Sequence, residues 1–432
     1  MHGAELVFSK MAKDRVRPND RSLLLVVTAC RQSGEAMRAQ GWLDRALAVG
    51  LQPGQAVRNE VLGAFASLGD ADAAEERLAE FAEADLVPKA QSYAKAMTAH
   101  ASCGAGGAER AEALVAKARE AGTAPDIAMY TTLLKCHAEG GDWPRAEQLL
   151  EEMVVESVPP TAASYGALVA ACARTKDLPR AEALVARALR EDVEPTLSLL
   201  NAVLKVCAKA GDEQAAMRWL AGFRERYRLA PDLVSYNTVL DAHAAAGNLA
   251  GAKAVRQEMG RVQVRPDKLS YTALIRLCAR ERDSEQAEVW LSKLLQDDGV
   301  YADTMAFNEA LQACVAARDL VRLWRTFDLM EARAVPPDAA TFNTLAMLYA
   351  RHGDTERVED IMHLSLEAGF PRREREYSRL LSAYGNATPR NARKAEAVFR
   401  QMLADGVRPN DSVFKFLRMA MGRNNAIQLT EE

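Results

Sequence analysis

The sequence predicts an all-α, right-handed α-solenoid (a superhelix) of tandem helical hairpins, each about 35 residues long. Three observations carry that expectation: a proline turn at nearly constant spacing, a helix-ending glycine between successive turns, and the composition. Alanine supplies 80 of the 432 residues and aromatics only 6%. That mix favours helices, because alanine loses no side-chain entropy in a helix and buries no polar group.

The period is read from the turn. It appears as Val16-Arg17-Pro18-Asn19, Leu51-Gln52-Pro53-Gly54, Leu86-Val87-Pro88-Lys89 and Thr123-Ala124-Pro125-Asp126, and continues to Val407-Arg408-Pro409-Asn410. Closing each unit one residue after the proline gives eleven repeats: 20–54, 55–89, 90–126, 127–161, 162–196, 197–232, 233–267, 268–303, 304–338, 339–373 and 374–410. Seven are 35 residues long and the others 36 or 37. Two ends depart from the rule: Ala302-Asp303 lacks the proline, and Pro371 stands one residue early before Arg372-Arg373.

Each unit divides in the same way. It opens with a helical stretch such as Val234-Ser235-Tyr236-Asn237-Thr238-Val239-Leu240, with an aromatic at the fourth place in eight units, from Tyr93 to Tyr377. The first helix is expected to stop at Gly34, Gly69, Gly104, Gly141, Gly211, Gly247 or Gly353, since glycine suits the left-handed residue that ends a helix. Asp70, Asp142, Asp212, Asn248 and Asp354 follow and suit the N-cap of the second helix. That helix carries a small residue for close approach at Ala74, Ala146, Ala181, Ala216, Ala252 and Ala287, and ends at the proline turn. Residues 1–19 match only a second helix and 411–423 only a first, a capping half repeat, before a polar tail at 424–432. The array is therefore expected to begin mid-repeat, with any targeting segment upstream. One hairpin cannot bury its apolar faces, so neighbours must stack.

Several function classes are disfavoured. No uninterrupted apolar run approaches the roughly 18–20 residues of a membrane span; Leu23-Leu24-Leu25-Val26-Val27, for one, is far too short. Met1 to Glu5 lack a basic region and an apolar core, so no secretory signal is visible. Seven cysteines without close pairing argue against a disulfide framework. Five of them, Cys30, Cys172, Cys207, Cys278 and Cys314, fall on the eleventh place of their units. Phe65, His100, His137, His243, Tyr349 and Tyr384 hold it elsewhere, which marks a packing position. His137-Ala138-Glu139 matches a zinc-deaminase fragment, but the downstream Pro-Cys-x-x-Cys is missing. No metal, no cofactor and no enzymatic activity are expected.

The 35-residue spacing, the Tyr236-Asn237-Thr238 opening, Ala252, the late Met153, Met259 and Met330, and the Pro266-Asp267 ending resemble the pentatricopeptide repeat family, of the P-type array. The resemblance covers residues 1–423. It implies single-stranded RNA as partner, one base per repeat, in an organelle (mitochondrion or plastid), by a chain acting as a monomer. It also implies that the fifth and last residues of a unit select the base. By position, Asn201 with Asp232, Asn237 with Asp267, and Asn308 with Asp338 would read uracil. Thr272 with Asp303 would read guanine, Ser378 with Asn410 adenine, and Thr131 with Thr161 a purine more weakly. Asn343 is of the pyrimidine type, but its last residue, Arg373, is unusual. The implied site is 5′-UUGU-pyrimidine-A-3′.

The first half departs from the pattern, because Leu24, Ala94 and Gly166 offer no side-chain hydrogen bond, and Asn59 is paired with Lys89. Each polar pair also has a plainer reading as helix caps. Charge is distributed unevenly: the chain carries −4 overall, yet the first fourteen residues of the units hold 14 Lys+Arg against 8 Asp+Glu, a net of +6. Lys135, Lys205 and Arg276 share the ninth place and Arg174, Lys209, Arg280 and Arg351 the thirteenth, one turn apart, a spacing suited to a phosphate backbone. Two other uses stay open: a scaffold for other proteins, and the RNA-binding arm of a larger enzyme.

Overall fold

The computed structural model describes residues 19–101, 105–297 and 299–431, and they form α-helices without a strand. The half repeat expected at 1–19 therefore lies, but for Asn19, outside the described residues. Helices alternate between a first and a second member of a hairpin, as in Leu233–Ala246 followed by Leu249–Arg261 and Lys268–Glu281 followed by Ser284–Gln296.

The chain divides into two compact units, one with residues up to Ala210 plus Ala221–Ala230, the other with Gly211–Leu220 plus Pro231 onward. In the first unit the first helices 20–32, 55–68, 90–100, 127–140, 162–175 and 197–210 pack side by side in chain order. In the second unit 233–246, 268–281, 304–317, 339–352, 374–386 and 411–421 do the same. Inside each row a first helix thus has first-helix neighbours on two sides, and this explains its almost continuous apolar sequence. In 233–246 the residues Ser235, Tyr236, Val239, Leu240, Ala242 and His243 are buried. Second helices bury only a stripe, such as Ala252, Val255 and Met259. The six alanines expected at close approaches are completely buried.

Local chemistry sets the helix ends. Gly34, Gly69, Gly141, Gly211, Gly247 and Gly353 all have positive φ, between 72° and 88°. Gly104 lies outside the described residues. Where glycine is missing, Lys176, Arg282 and Arg318 adopt the same left-handed cap. Asp70, Asp142, Asp212, Asn248 and Asp354 each accept the backbone N–H three residues on, at 2.8–3.2 Å. A second left-handed residue ends most second helices too, among them Gln263 and Ala334, so the turn begins before its proline.

One expectation needs correction. The segment 424–432 is not a plain polar tail: Arg423–Glu431 is a helix that buries Ala426 and Leu429. Arg423, Asn425 and Gln428 are exposed, while Ala426 and Leu429 join the core cluster that includes Val413 and Leu417.

Candidate nucleic-acid interface

Four of the fourth-place tyrosines fix their first helices to the second helix of the same hairpin. Tyr130 Oη donates to Glu156 at 2.6 Å and Tyr271 Oη to Asp297 at 2.8 Å, while Tyr165 and Tyr377 donate to Glu191 and Asp405. Each acceptor is the C-cap of the second helix in the same repeat. Burial, then the adjacent carboxylates, push the Tyr130 and Tyr377 hydroxyls up to about 12. With the fourth residue locked inward, the fifth lies at the edge of the buried stripe.

There the fifth residue, the last residue of its repeat and the third residue of the next converge. Asn237 Nδ2 donates to Asp267 Oδ1 at 3.0 Å, and Ser270 Oγ donates to Asn237 Oδ1 at 2.5 Å. Asp267 Oδ1 also accepts the Ser270 N–H at 3.0 Å, the ordinary N-cap bond. Two repeats later the geometry recurs: Asn308 Nδ2 to Asp338 Oδ1 at 3.1 Å, Thr341 Oγ1 to Asn308 Oδ1 at 2.7 Å, and Thr341 N–H to Asp338 Oδ1 at 2.8 Å. Burial raises the Asp338 carboxyl, but the hydrogen bonds from Thr341 and Asn308 outweigh it and hold the group below its usual range. Thr131 and Thr161 also meet through Ser164, at 3.2 and 3.4 Å between hydroxyls. At the Asn237 and Asn308 joints one carboxylate oxygen therefore both caps the helix and holds the asparagine.

An amide nitrogen carries two donors and a carboxylate several acceptor sites. Asn237 keeps one Nδ2 proton, and Asp267 Oδ2 has no hydrogen-bond partner among the described residues. A donor beside an acceptor complements a uracil, whose carbonyl accepts and whose N3–H donates.

Other expected pairs sit differently. The Thr272 hydroxyl is buried and donates to Lys268 O at 2.8 Å, while Lys268 Nζ lies 2.7 Å from Asp303 Oδ2. Asp303 Oδ1 caps the next helix through the Ala306 N–H at 3.1 Å. Asn201 and Asp232 are both half-buried. Asn410 is exposed, caps the last first helix through the Val413 N–H at 3.0 Å and donates to Glu374. Ser378 has no hydrogen-bond partner among the described residues and lines a groove of about 1380 Å3 with Asn343, Arg373, Glu376 and Asn410.

The basic residues separate into two groups. Lys205, Lys209, Arg174 and Arg351 are exposed, as is Lys135, whose Nζ is 3.8 Å from Glu139. Arg276, Arg280 and Arg351 do come together, around a cavity of about 530 Å3 with Arg282, Arg318 and Glu309. Yet Arg276 bonds Asp241 at 3.0 Å, and Arg280 donates to Ala244 O and, at 2.9 Å, to Ala245 O. These two arginines brace the preceding first helix.

Sequence reasoning missed several groups on this face. Val234, Leu269 and Met305 are 57%, 53% and 47% exposed, one turn before the fifth residue. Their signal was an apolar residue recurring at the second place. Arg379, beside Arg351 and Arg375, is half-buried, and burial with those two charges lowers its affinity for its proton. In the first unit, Glu60 binds Arg31 at 2.6 Å and Lys95 at 2.9 Å, linking three successive first helices.

Fold and face together define a class: a helical-hairpin repeat protein that presents a periodic row of polar side chains. A family model described as the pentacotripeptide-repeat region of PRORP matches residues 98–228, 185–297 and 277–428. The chain belongs to the pentatricopeptide repeat family. A chloroplastic pentatricopeptide repeat-containing protein of Arabidopsis thaliana is 28% identical over 123 residues, which is 28% of this chain and 16% of that protein. A mitochondrial one from the same plant is 25% identical over 206 residues, 45% of this chain and 32% of its own length. The matched parts thus span well under half of these relatives. Among solved structures, the pentatricopeptide repeat protein PPR10 from maize shares the fold, with a TM-score of 0.57 at 21% identity over 99% of this chain and 65% of that one. No described helix is long and apolar enough to cross a membrane.

Proposed function

We propose that this chain binds single-stranded RNA along its first helices, one base per repeat, and acts by occupancy on an organellar transcript. Bound passively, it would block exonucleases or hold RNA out of hairpins, affecting stability, processing or translation. The observation that carries the reading is the repeated set Asn237–Asp267–Ser270 and Asn308–Asp338–Thr341. It presents the same donor and acceptor at two successive asparagine-bearing joints. Family membership supplies the ligand class, and the chloroplastic and mitochondrial relatives support the organelle.

The base-selecting set we assign is Thr131, Thr161, Asn201, Asp232, Asn237, Asp267, Thr272, Asp303, Asn308, Asp338, Asn343, Arg373, Ser378 and Asn410. The exposed Val234, Leu269 and Met305 supply apolar surface against base faces. Of the basic residues, Lys135, Arg174, Lys205, Lys209 and Arg351 follow the phosphates, while Arg276 and Arg280 act mainly as braces. Fluorescence-anisotropy titration at two salt concentrations tests this reading, with an RNA containing UUGUUA, its scramble and the matching DNA. Tight binding of the first alone is expected. Indifference among the three, or binding of none, would refute it.

A further inference from the structure

The joint between repeats 339–373 and 374–410 has the opposite hydrogen-bond polarity from its neighbours. Arg373 takes the last place, where Asp267 and Asp338 stand elsewhere, and Glu376 takes the third place, where Ser270 and Thr341 stand. Glu376 is 7% exposed. One of its carboxylate oxygens accepts from Asn343 Nδ2, and the other accepts the Arg373 N–H at 2.9 Å. The carboxylate has moved from the last residue of one repeat to the third residue of the next. It still holds the asparagine and still satisfies the helix N-terminus.

The exchange alters what faces the groove. Both Nδ2 protons of Asn343 are engaged, one by Glu376 and one by Ala339 O at 3.2 Å. Glu376 brings no hydroxyl, so Asn343 Oδ1 is left without a partner. A covered acceptor in that state calls for a donor from outside. The exposed Arg373 guanidinium, which has no ion-pair or hydrogen-bond partner among the described residues, lines the same groove and offers donors only.

We infer that Glu376 is a specificity-determining positioning residue and that this joint selects cytosine over uracil at the fifth base; this rests on the RNA-binding reading above. Cytosine N4–H2 donates to Asn343 Oδ1, and cytosine N3 and O2 accept from Arg373. Uracil presents O4 to an acceptor and N3–H to a donor, so both contacts fail. At Asn237 and Asp267 the same argument favours uracil.

The test uses the full chain and four RNAs, UUGUNA, that differ only at the fifth base, with the second base varied in a parallel set. Wild type is expected to bind the cytosine RNA roughly tenfold more tightly than the uracil RNA, the size of one base contact. The double variant Arg373→Asp, Glu376→Ser rebuilds the set seen at Asn237, Asp267 and Ser270, so it keeps a cap, and its preference should invert to uracil. Arg373→Ala should narrow the distinction, because Asn343 Oδ1 still accepts from cytosine N4–H2, and leave the second-base preference unchanged. Uracil preferred by wild type, or a double variant that still prefers cytosine, would overturn the inference. Equal binding of all four fifth bases with uracil still selected at the second would also overturn it while leaving RNA recognition standing. Loss of selection at both bases would remove the underlying reading as well.

Discussion

Asn237 and Asp267 stand 30 residues apart, yet their side chains meet at 3.0 Å, on the carboxylate oxygen that caps the next first helix. Stacking alone brings them together, so the contact reports on the repeat register and on the groove chemistry at once. Asp267→Asn separates the two roles. Asparagine caps a helix as well as aspartate, so stability measured by denaturant should change by under about 0.5 kcal/mol. The preference for uracil at the second base should fall, because the acceptor facing N3–H is weakened. A large stability loss would show that the pair is mainly structural.

Phosphate-following and bracing residues should behave differently. Lys209→Ala should weaken binding to all RNA sequences alike and reduce the slope of log affinity against log salt by about one. Arg280→Ala should instead lower thermal stability, since its guanidinium holds Ala244 O and Ala245 O at the end of the preceding first helix. Salt-dependent titration and thermal melts of both variants distinguish the two roles.

Stability should depend on pH near neutrality. Burial depresses His243, with Glu213 opposing; burial and then Arg110 depress His100, with Glu75 opposing. A depressed folded pKa means that the unfolded chain binds more protons below about 6.5, so stability rises with pH there. The contribution is complete above the unfolded value and is lost as pH falls below it. His243→Cys places at this site the residue that five other repeats carry. Its melting temperature should decline less than that of wild type between pH 7 and pH 5.

Ala334 ends the helix Leu320–Ala332 with φ of +54° and is exposed. A side chain in that conformation costs roughly 1–2 kcal/mol, part of which glycine returns through its greater unfolded entropy. Ala334→Gly should therefore stabilise the protein by about 0.5–1 kcal/mol in denaturant titration. Gly251→Ala should do the reverse, because a Cβ there would lie 2.4 Å from the His243 ring.

Much of this structure was legible in the sequence because its punctuation is local. Glycine, aspartate and proline set the ends of helices through their own backbone chemistry, so Gly247, Asn248 and Pro266 could be placed without any knowledge of neighbours. The eleventh-place cysteines repeat in register and interchange with His, Phe and Tyr, and that marked the place as interior. Less legible was anything that depends on which side chains stacking brings across a joint. Lys268 neutralises Asp303 and Glu376 replaces an absent aspartate, yet both partners lie more than 30 residues from the groups they serve. The bracing of Arg276 by Asp241 was hidden for the same reason, since a cation at the ninth place reads alike whether it faces phosphate or a carboxylate. The closing helix Arg423–Glu431 was missed because two buried residues, Ala426 and Leu429, are too few to show a period.

In the proposed mode of binding, the fifth residue of a repeat, held by the last, selects a base. The most direct measurement is the affinity of Asn237→Thr for four RNAs, UNGUUA, that vary only the second base. Threonine with Asp267 is the pair already present at Thr272 and Asp303. Preference at the second base is expected to move from uracil to guanine, by about 1–3 kcal/mol, with the other positions unchanged. Undiminished affinity with uracil still preferred would contradict it.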